Sequence, residues 1–213
     1  FILTCVIYAV GITIGAVLGY FGSWTDIIGQ RFVEIWSALP FLYVVMILSA
    51  LVTPRYRPDS HNLMQPAFWL LVAILATFGW MSMTYFIRGE FYREKSKDYV
   101  AAAVAIGTTD AWIILKHILP NALTPVVTFA PFAIVGEIGA LVALDFLGFG
   151  LPPPTPSWGE TLGQGLELIS SFDRSWWLVV FPTAALFATL LVVVFIGEAV
   201  REAFDPKVYA RLR

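Results

Sequence analysis

The sequence predicts an all-α protein, a polytopic bundle of membrane-spanning helices. Three observations carry that reading. Hydrophobic residues make up 59% of the 213 residues and charged residues only 13%. A soluble domain carries about 25% charged residues, so this chain cannot cover itself with polar surface, and the bilayer is its solvent. Mean hydropathy is +0.79, and the apolar residues fall into runs near the roughly 20 residues that a helix needs to cross the hydrocarbon core. The charges collect between those runs. Net charge is -2, which leaves no basic stripe to neutralise phosphates and excludes a nucleic-acid binder. The single cysteine, Cys5, has no partner for an internal disulfide and reads as a small hydrophobe in an apolar helix.

Five stretches meet the spanning length: 1–21, 32–52, 67–87, 122–147 and 176–200. The chain starts at Phe1 inside the first of them, so a further span is expected upstream, giving six in a full protein. The first span carries Gly11, Gly15 and Gly19 at steps of four, on one helix face. Small residues at that spacing let backbones come close; packing within the chain and an interface with a partner subunit both fit. Tyr20, Phe21 and Trp24, then Trp80, then Trp176 and Trp177 fall near predicted span ends, where aromatic side chains anchor at the interface.

Charge sets the orientation, because Lys and Arg concentrate in cytoplasmic connections. Arg31; Arg88, Arg93, Lys95, Lys97 and Lys116; and Arg201, Lys207, Arg211 and Arg213 fall on one side, ten basic residues in all. The other side holds three: Arg55, Arg57 and Arg174. The first side is expected to be cytoplasmic, with Phe1 outside and the C-terminal tail inside.

The longest inside connection, 88–120, opens on charged residues and continues as DYVAAAVAIGTTDAWIILKHILPN over 98–121. Asp98 or Ser96 is expected to cap an alanine-rich helix starting at Tyr99. Gly107 follows, where a helix end favours a residue that tolerates positive φ. Thr108 and Thr109 offer the next cap, and Asp110 suits the positive end of a second helix. Trp112, Ile113, Leu115 and Ile118 give that helix apolar surface, and Pro120 stops it or starts the next span. Two short helices with a bend at Gly107 fit a docking site for a partner protein, and fit equally an amphipathic pair lying on the bilayer.

The outer connection, 148–175, is proline-rich. Pro152, Pro153, Pro154 and Pro156 make a stiff extended backbone, either a rigid connector or a platform with Trp158, Glu160 and Asp173 as contacts. Ionisable residues inside a membrane usually face a cavity or a partner. Glu137 is the deepest such residue: it either lines a path or bonds a neighbouring helix. Asp145 lies near the outer interface and reads as solvated; Glu34 and Glu198 read as interfacial. His61 and His117 are the only histidines, and with one cysteine they form no metal cluster. No catalytic residue emerges, since neither a metalloprotease nor a serine-nucleophile motif is present. A passive channel would need a filter or repeated pore-lining polar residues. The phosphate-binding loop of an ATPase is also missing, and Gly148 and Gly150 are followed by prolines rather than a helix start.

The segment 98–121 resembles the cytoplasmic EAA loop of ABC importer permeases. Ala102, Ala103, Gly107, Ile114, Leu119, Pro120 and Asn121 fit its pattern, and Ala101 stands where that family usually has glutamate. Asp98 and Glu94 are the acidic residues that could take the missing polar contact. GYFGSWTD at 19–26, LDFLGFGLPPPTPSWGETL at 144–162 and REAFDP at 201–206 resemble the oligopeptide/dipeptide branch. GQRFVEIWSALP at 29–40 and FIGEAVREAFDP at 195–206 resemble the microcin C-type oligopeptide permease most. The resemblance covers nearly the whole chain. It implies a type I importer permease in a bacterial inner membrane, with 1–213 one incomplete transmembrane domain, 88–120 its coupling loop and 148–175 an external loop. The resemblance also implies the partners: a second, different permease, two ABC ATPase subunits that bind the ATP and magnesium, and an extracytoplasmic peptide-binding protein. The coupling residues it implies are Asp98, Tyr99, Ala102, Ala103, Gly107, Asp110, Ile114, Leu119 and Pro120. The same scaffold serves other cargoes, such as nickel or a glycoside.

Overall fold

The computed structural model describes residues 1–52, 64–151, 155–168 and 175–204, and every regular element among them is helical. The helices are α1 (Ile2–Phe21), α2 (Ser23–Ser37), α3 (Phe41–Val52), α4 (Met64–Lys95), α5 (Asp98–Ala105), α6 (Asp110–Trp112, continued by a π-helical segment Ile113–Ile118), α7 (Leu119–Phe146), α8 (Trp158–Glu167) and α9 (Trp177–Phe204). Arg55, Arg57, His61, Pro152, Pro153, Pro154, Asp173, Arg174, Lys207, Arg211 and Arg213 lie outside the described residues.

Among the described residues, four helical stretches are long and apolar enough to cross a membrane: Ile2–Phe21, Phe68–Lys95, Asp110–Phe146 and Trp177–Phe204. A fifth is reached if α2 and α3 form one broken span. The break at Ala38–Pro40 divides the span expected at 32–52. Proline lacks an N–H and pushes the residue before it out of the helical region. Helix α2 starts at Ser23, directly after Gly22 at φ 61, so the chain turns on a left-handed glycine and goes straight on as helix.

The chain forms two compact units, one of Phe1–Pro40, Ala76–Ala130 and Val200–Arg213, the other of Phe41–Leu75 and Pro131–Ala199. In the first unit α1 packs on α4 through the glycine stripe. A Cβ at Gly11 would lie 2.6 Å from Met83 Cβ, at Gly15 2.7 Å from Thr84 O, and at Gly19 2.6 Å from Phe91 Cβ. Only glycine permits this approach, and without a hydrophobic force between helices in lipid such close packing is what holds them. Thr84, fully buried, shares its hydroxyl between Gly11 O at 3.3 Å and Trp80 O at 3.1 Å. Trp80 is not an interfacial anchor: it is buried, stacked against Phe32 with centroids 6.4 Å apart, and its Nε1–H donates to Thr77 O at 2.8 Å. Arg88 bonds Asp26 through both forks, Nε–H to Oδ1 and Nη2–H to Oδ2, the latter at 2.6 Å.

In the second unit, Ser49 of α3 donates to Phe149 O at 2.6 Å. Gly159 lets α8 sit on α7, where an added Cβ would lie 2.6 Å from Asp145 Cβ. Gly165 brings α8 against Val179 of α9 in the same way, at 2.8 Å. Helix α8 shows that the region expected to be stiff and extended also holds a regular helix. Ser157 caps it by accepting the Glu160 N–H at 3.0 Å.

Candidate functional site, a bent helical loop fixed to the first unit

The segment from Glu94 to Asn121 is built from its caps outward. Lys97, in extended backbone, is the N-cap of α5 and makes no side-chain cap bond, so neither Asp98 nor Ser96 is the cap. Ser96 Oγ–H instead donates back to Arg93 O at 2.9 Å. Asp98 opens α5 and lies at its positive dipole end. At the other end the Thr108 N–H bonds Ala103 O at 3.1 Å and the Gly107 N–H bonds Val104 O at 3.0 Å. Those two bonds make a Schellman motif, with Gly107 at φ 78. No atom lies within 4 Å of a Cβ placed on Gly107, so backbone conformation, not crowding, demands the glycine. Thr109 then adopts extended backbone as the N-cap of α6.

Pro120 neither stops α6 nor starts a new helix. The run Asp110–Phe146 is continuous, 37 residues long, because the wider π-helical turn at Ile113–Ile118 shifts the bonding frame ahead of the proline. Asn121 Nδ2–H donates to His117 O at 2.8 Å, within the turn preceding it.

Side-chain bonds tie this bent unit down. Tyr20 of α1 donates its hydroxyl to Asp110 Oδ1 at 2.6 Å. Lys95 Nζ donates to Tyr20 O and sits 5.1 Å from the centre of the Tyr20 ring. On the far side, the Tyr99 hydroxyl donates to Glu94 Oε2 at 2.8 Å and accepts from Asn121 Nδ2 at 3.3 Å. Lys97 Nζ lies 3.0 Å from Glu94 Oε1. Burial first, and the Glu94 carboxylate second, push the Tyr99 hydroxyl above its ordinary pKa, so it stays a donor. Beneath these bonds Phe91, Ile87, Ile113 and Ile118 form a core of fully buried side chains.

The structure divides the residues expected to couple into two sets. Ala103 is buried in that core, and Tyr99, Ile114 and Leu119 pack half-buried against it. Asp98, Ala102, Gly107, Asp110 and Pro120 are exposed. So are four large apolar side chains: Val104 58%, Ile106 81%, Trp112 54% and Leu115 59%. Exposed apolar side chains of this size on a segment held by side-chain bonds are candidates for contact with a partner or the bilayer. Val104 and Ile106 were not singled out from the sequence, although both lie off the Val100–Ala103 stripe that turns inward. Glu94 is not an exposed stand-in for the glutamate that the resembled loop pattern has at 101. It is 2% exposed and faces Tyr99 and Lys97, which leaves Asp98 as the exposed carboxylate of α5.

Of the other residues singled out, Gly11, Gly15 and Gly19 meet α4, as described above. Trp158 is exposed at the start of α8, and Glu160 is half-buried there, its Oε1 accepting Gln164 Nε2–H at 3.2 Å. Glu137 is half-buried on α7 and is not without a partner. Asp145 is not simply solvated: it is half-buried, and its Oδ1 accepts the Leu151 N–H at 3.1 Å.

Known proteins are similar to this chain in sequence, and a solved structure is similar in fold. The family described as "Binding-protein-dependent transport system inner membrane component" matches residues 11–209. The peptidoglycan transport system permease protein YejE of Agrobacterium fabrum is 42% identical over 93% of this chain and 48% of its own length. The inner membrane ABC transporter permease protein YejE of Escherichia coli is 44% identical over 92% of this chain and 53% of its own. The oligopeptide transport system permease protein OppC of Haemophilus influenzae is 36% identical over 93% of this chain and 59% of its own. The chain therefore spans about half the length of the YejE relatives it matches. A solved structure described as inward-facing conformations of the MetNI methionine ABC transporter has the same fold, with a TM-score of 0.67 at 16% identity, covering 96% of this chain and 90% of that one. By the match over 11–209, the chain belongs to the family of inner membrane components of binding-protein-dependent transport systems.

Proposed function

We propose that this chain is the membrane-embedded part of a permease subunit that imports oligopeptides or peptide-like compounds and is driven by separate ATPase subunits docked on the α5–α6 loop. The observation that carries the reading is the exposed Val104, Ile106, Trp112 and Leu115 face on a loop bonded to α1 at Tyr20–Asp110. Motion of a docked motor would pass directly into α7, because the helix from Asp110 runs on without a break. Such a bistable bundle biased from both ends suits alternating access.

Charge supports the orientation. Ten of the thirteen Lys and Arg residues of the sequence lie in the first unit's segments, which supports a cytoplasmic α5–α6 loop and a cytoplasmic end of α9. The names of the YejE and OppC relatives support peptide-like cargo. Burial leaves room for a second permease: only 6% of the apolar window of the Asp110–Phe146 stretch or of α9 is buried within the chain, against 44% for α1 and 56% for α4. Lipid and the second permease would cover those faces, and an extracytoplasmic binding protein would deliver cargo. ATP and magnesium belong to the motor subunits, and the purified chain alone is expected to hydrolyse no ATP. The test is uptake of a labelled tripeptide into vesicles containing the complete transporter. ATP-dependent accumulation supports the reading; accumulation unaffected by ATP overturns it.

A further inference from the structure

A pocket of about 400 Å³ lies between α7 and α8 in the second unit. Its size falls in the range of small-molecule sites, about 300–1,000 Å³. Ile138, Leu141, Val142 and Trp158 give it apolar walls; Asp145, Ser157 and Thr161 supply its polar groups. The carboxylate is held in place from several sides. Asp145 Oδ1 accepts the Leu151 N–H, the Ser157 hydroxyl bonds the same carboxylate, and Gly150 and Gly159 leave it the room it occupies.

Anchoring the chain after α7 needs only an acceptor, which a neutral asparagine would also supply. A carboxylate in a mostly apolar pocket is stabilised in its charged form by an opposite charge. Among the described residues the second unit supplies none: it has no Lys, Arg or His there, while it carries Glu137, Asp145, Glu160, Glu167 and Glu198. One carboxylate beside an indole and an aliphatic wall is too poor a donor set for a divalent metal. It suits an organic ammonium, which pairs with the carboxylate and lies against the ring. We propose that the Asp145–Trp158 pocket binds the free amino terminus of a peptide-like substrate together with its first apolar side chain. This rests on the peptide-importer reading above. It assigns the ammonium to Asp145 rather than to Glu137, which stands two helical turns earlier on α7.

The test uses the complete transporter in membrane vesicles and a tripeptide with photo-leucine at its first position, with either a free or an acetylated amino terminus. The free-amino probe is expected to label the α7–α8 pocket about tenfold more than the acetylated one. Asp145→Asn, which keeps the acceptor for Leu151, should abolish that difference. Trp158→Leu, which keeps an apolar wall, should lower labelling by the free-amino probe. Equal labelling by both probes, labelling elsewhere, or a preference that survives Asp145→Asn would overturn the proposal. Uptake of the unmodified tripeptide by wild-type vesicles is measured in parallel. No uptake would overturn the importer reading; uptake without pocket labelling would overturn this assignment alone.

Discussion

The Tyr20 hydroxyl donates to Asp110 Oδ1 at 2.6 Å across 90 residues of sequence, and so fastens the start of α6 to the end of α1. The acceptor is a carboxylate, and a hydrogen bond to a charged group contributes about 1.5–3 kcal/mol when well shielded, less here because Asp110 is exposed. Tyr20→Phe removes the bond and keeps the ring under Lys95. Amide exchange over 108–112 is expected to accelerate while exchange in α4 is unchanged, and peptide uptake per ATP hydrolysed should fall. Unchanged exchange at 108–112 would mean that the bond does not hold the loop.

Gly107 sits at φ 78 in open space. Gly107→Ala is therefore expected to cost about 1–2 kcal/mol through backbone conformation alone. Asn tolerates the left-handed region better than other side chains, so Gly107→Asn should cost less. Thermal unfolding of the two variants side by side checks the order; an Ala variant as stable as wild type would show that the bend is not where the strain falls.

The glycines of α1 and α7 should respond oppositely to the same change. An added Cβ at Gly15 meets Thr84 O at 2.7 Å and Ile87 Cβ at 2.9 Å, whereas at Gly136 nothing lies within 4 Å. Gly15→Ala is expected to lose about 1–3 kcal/mol to overpacking. Gly136→Ala should leave the isolated subunit unchanged or gain up to about 1 kcal/mol of helix propensity. Folded yield and thermal midpoint in detergent measure both.

Tyr99 supplies a pH signature. Its raised pKa means that the protonated hydroxyl is favoured by folding. The stabilisation is fully present below the ordinary tyrosine value and is lost as pH rises through the raised one. Tyr99→Phe strips the buried Glu94 of one donor, at a cost of about 1.5–3 kcal/mol at neutral pH. The gap between variant and wild type should narrow only in strongly alkaline buffer. Unfolding midpoints across that range test the sign, and a gap that widens with pH would contradict it.

Much of this fold was legible because the bilayer demands long apolar runs and closed backbone bonding. The Gly107 bend was readable for a local reason, an alanine-rich helix followed by glycine and threonine. The break at Pro40 was hidden by continuous hydrophobicity on both sides of it. Helix α8 was masked by neighbouring prolines, although Ser157 and Glu160 carry the spacing of a capping box. In the loop, the sequence marked which residues belong to the site but not which way they face. Ala102 and Ala103 are adjacent and alike, and only the position of the core puts one outside and the other within. The Tyr20–Asp110 and Tyr99–Glu94 bonds join elements far apart or around a turn, and no periodicity signals them.

The central claim is that Ile106 and Trp112 form the face on which a motor subunit sits. The most direct measurement is site-specific photo-crosslinking from position 106 in intact membranes, with the same probe at exposed Val127 of α7 as control. A product containing an ABC ATPase from position 106, none from 127, and loss of the product when Trp112→Asp is added, is the predicted result. A probe at 106 that labels only lipid, with transport intact in the Trp112→Asp variant, would contradict the account and make the loop a helix pair lying on the membrane.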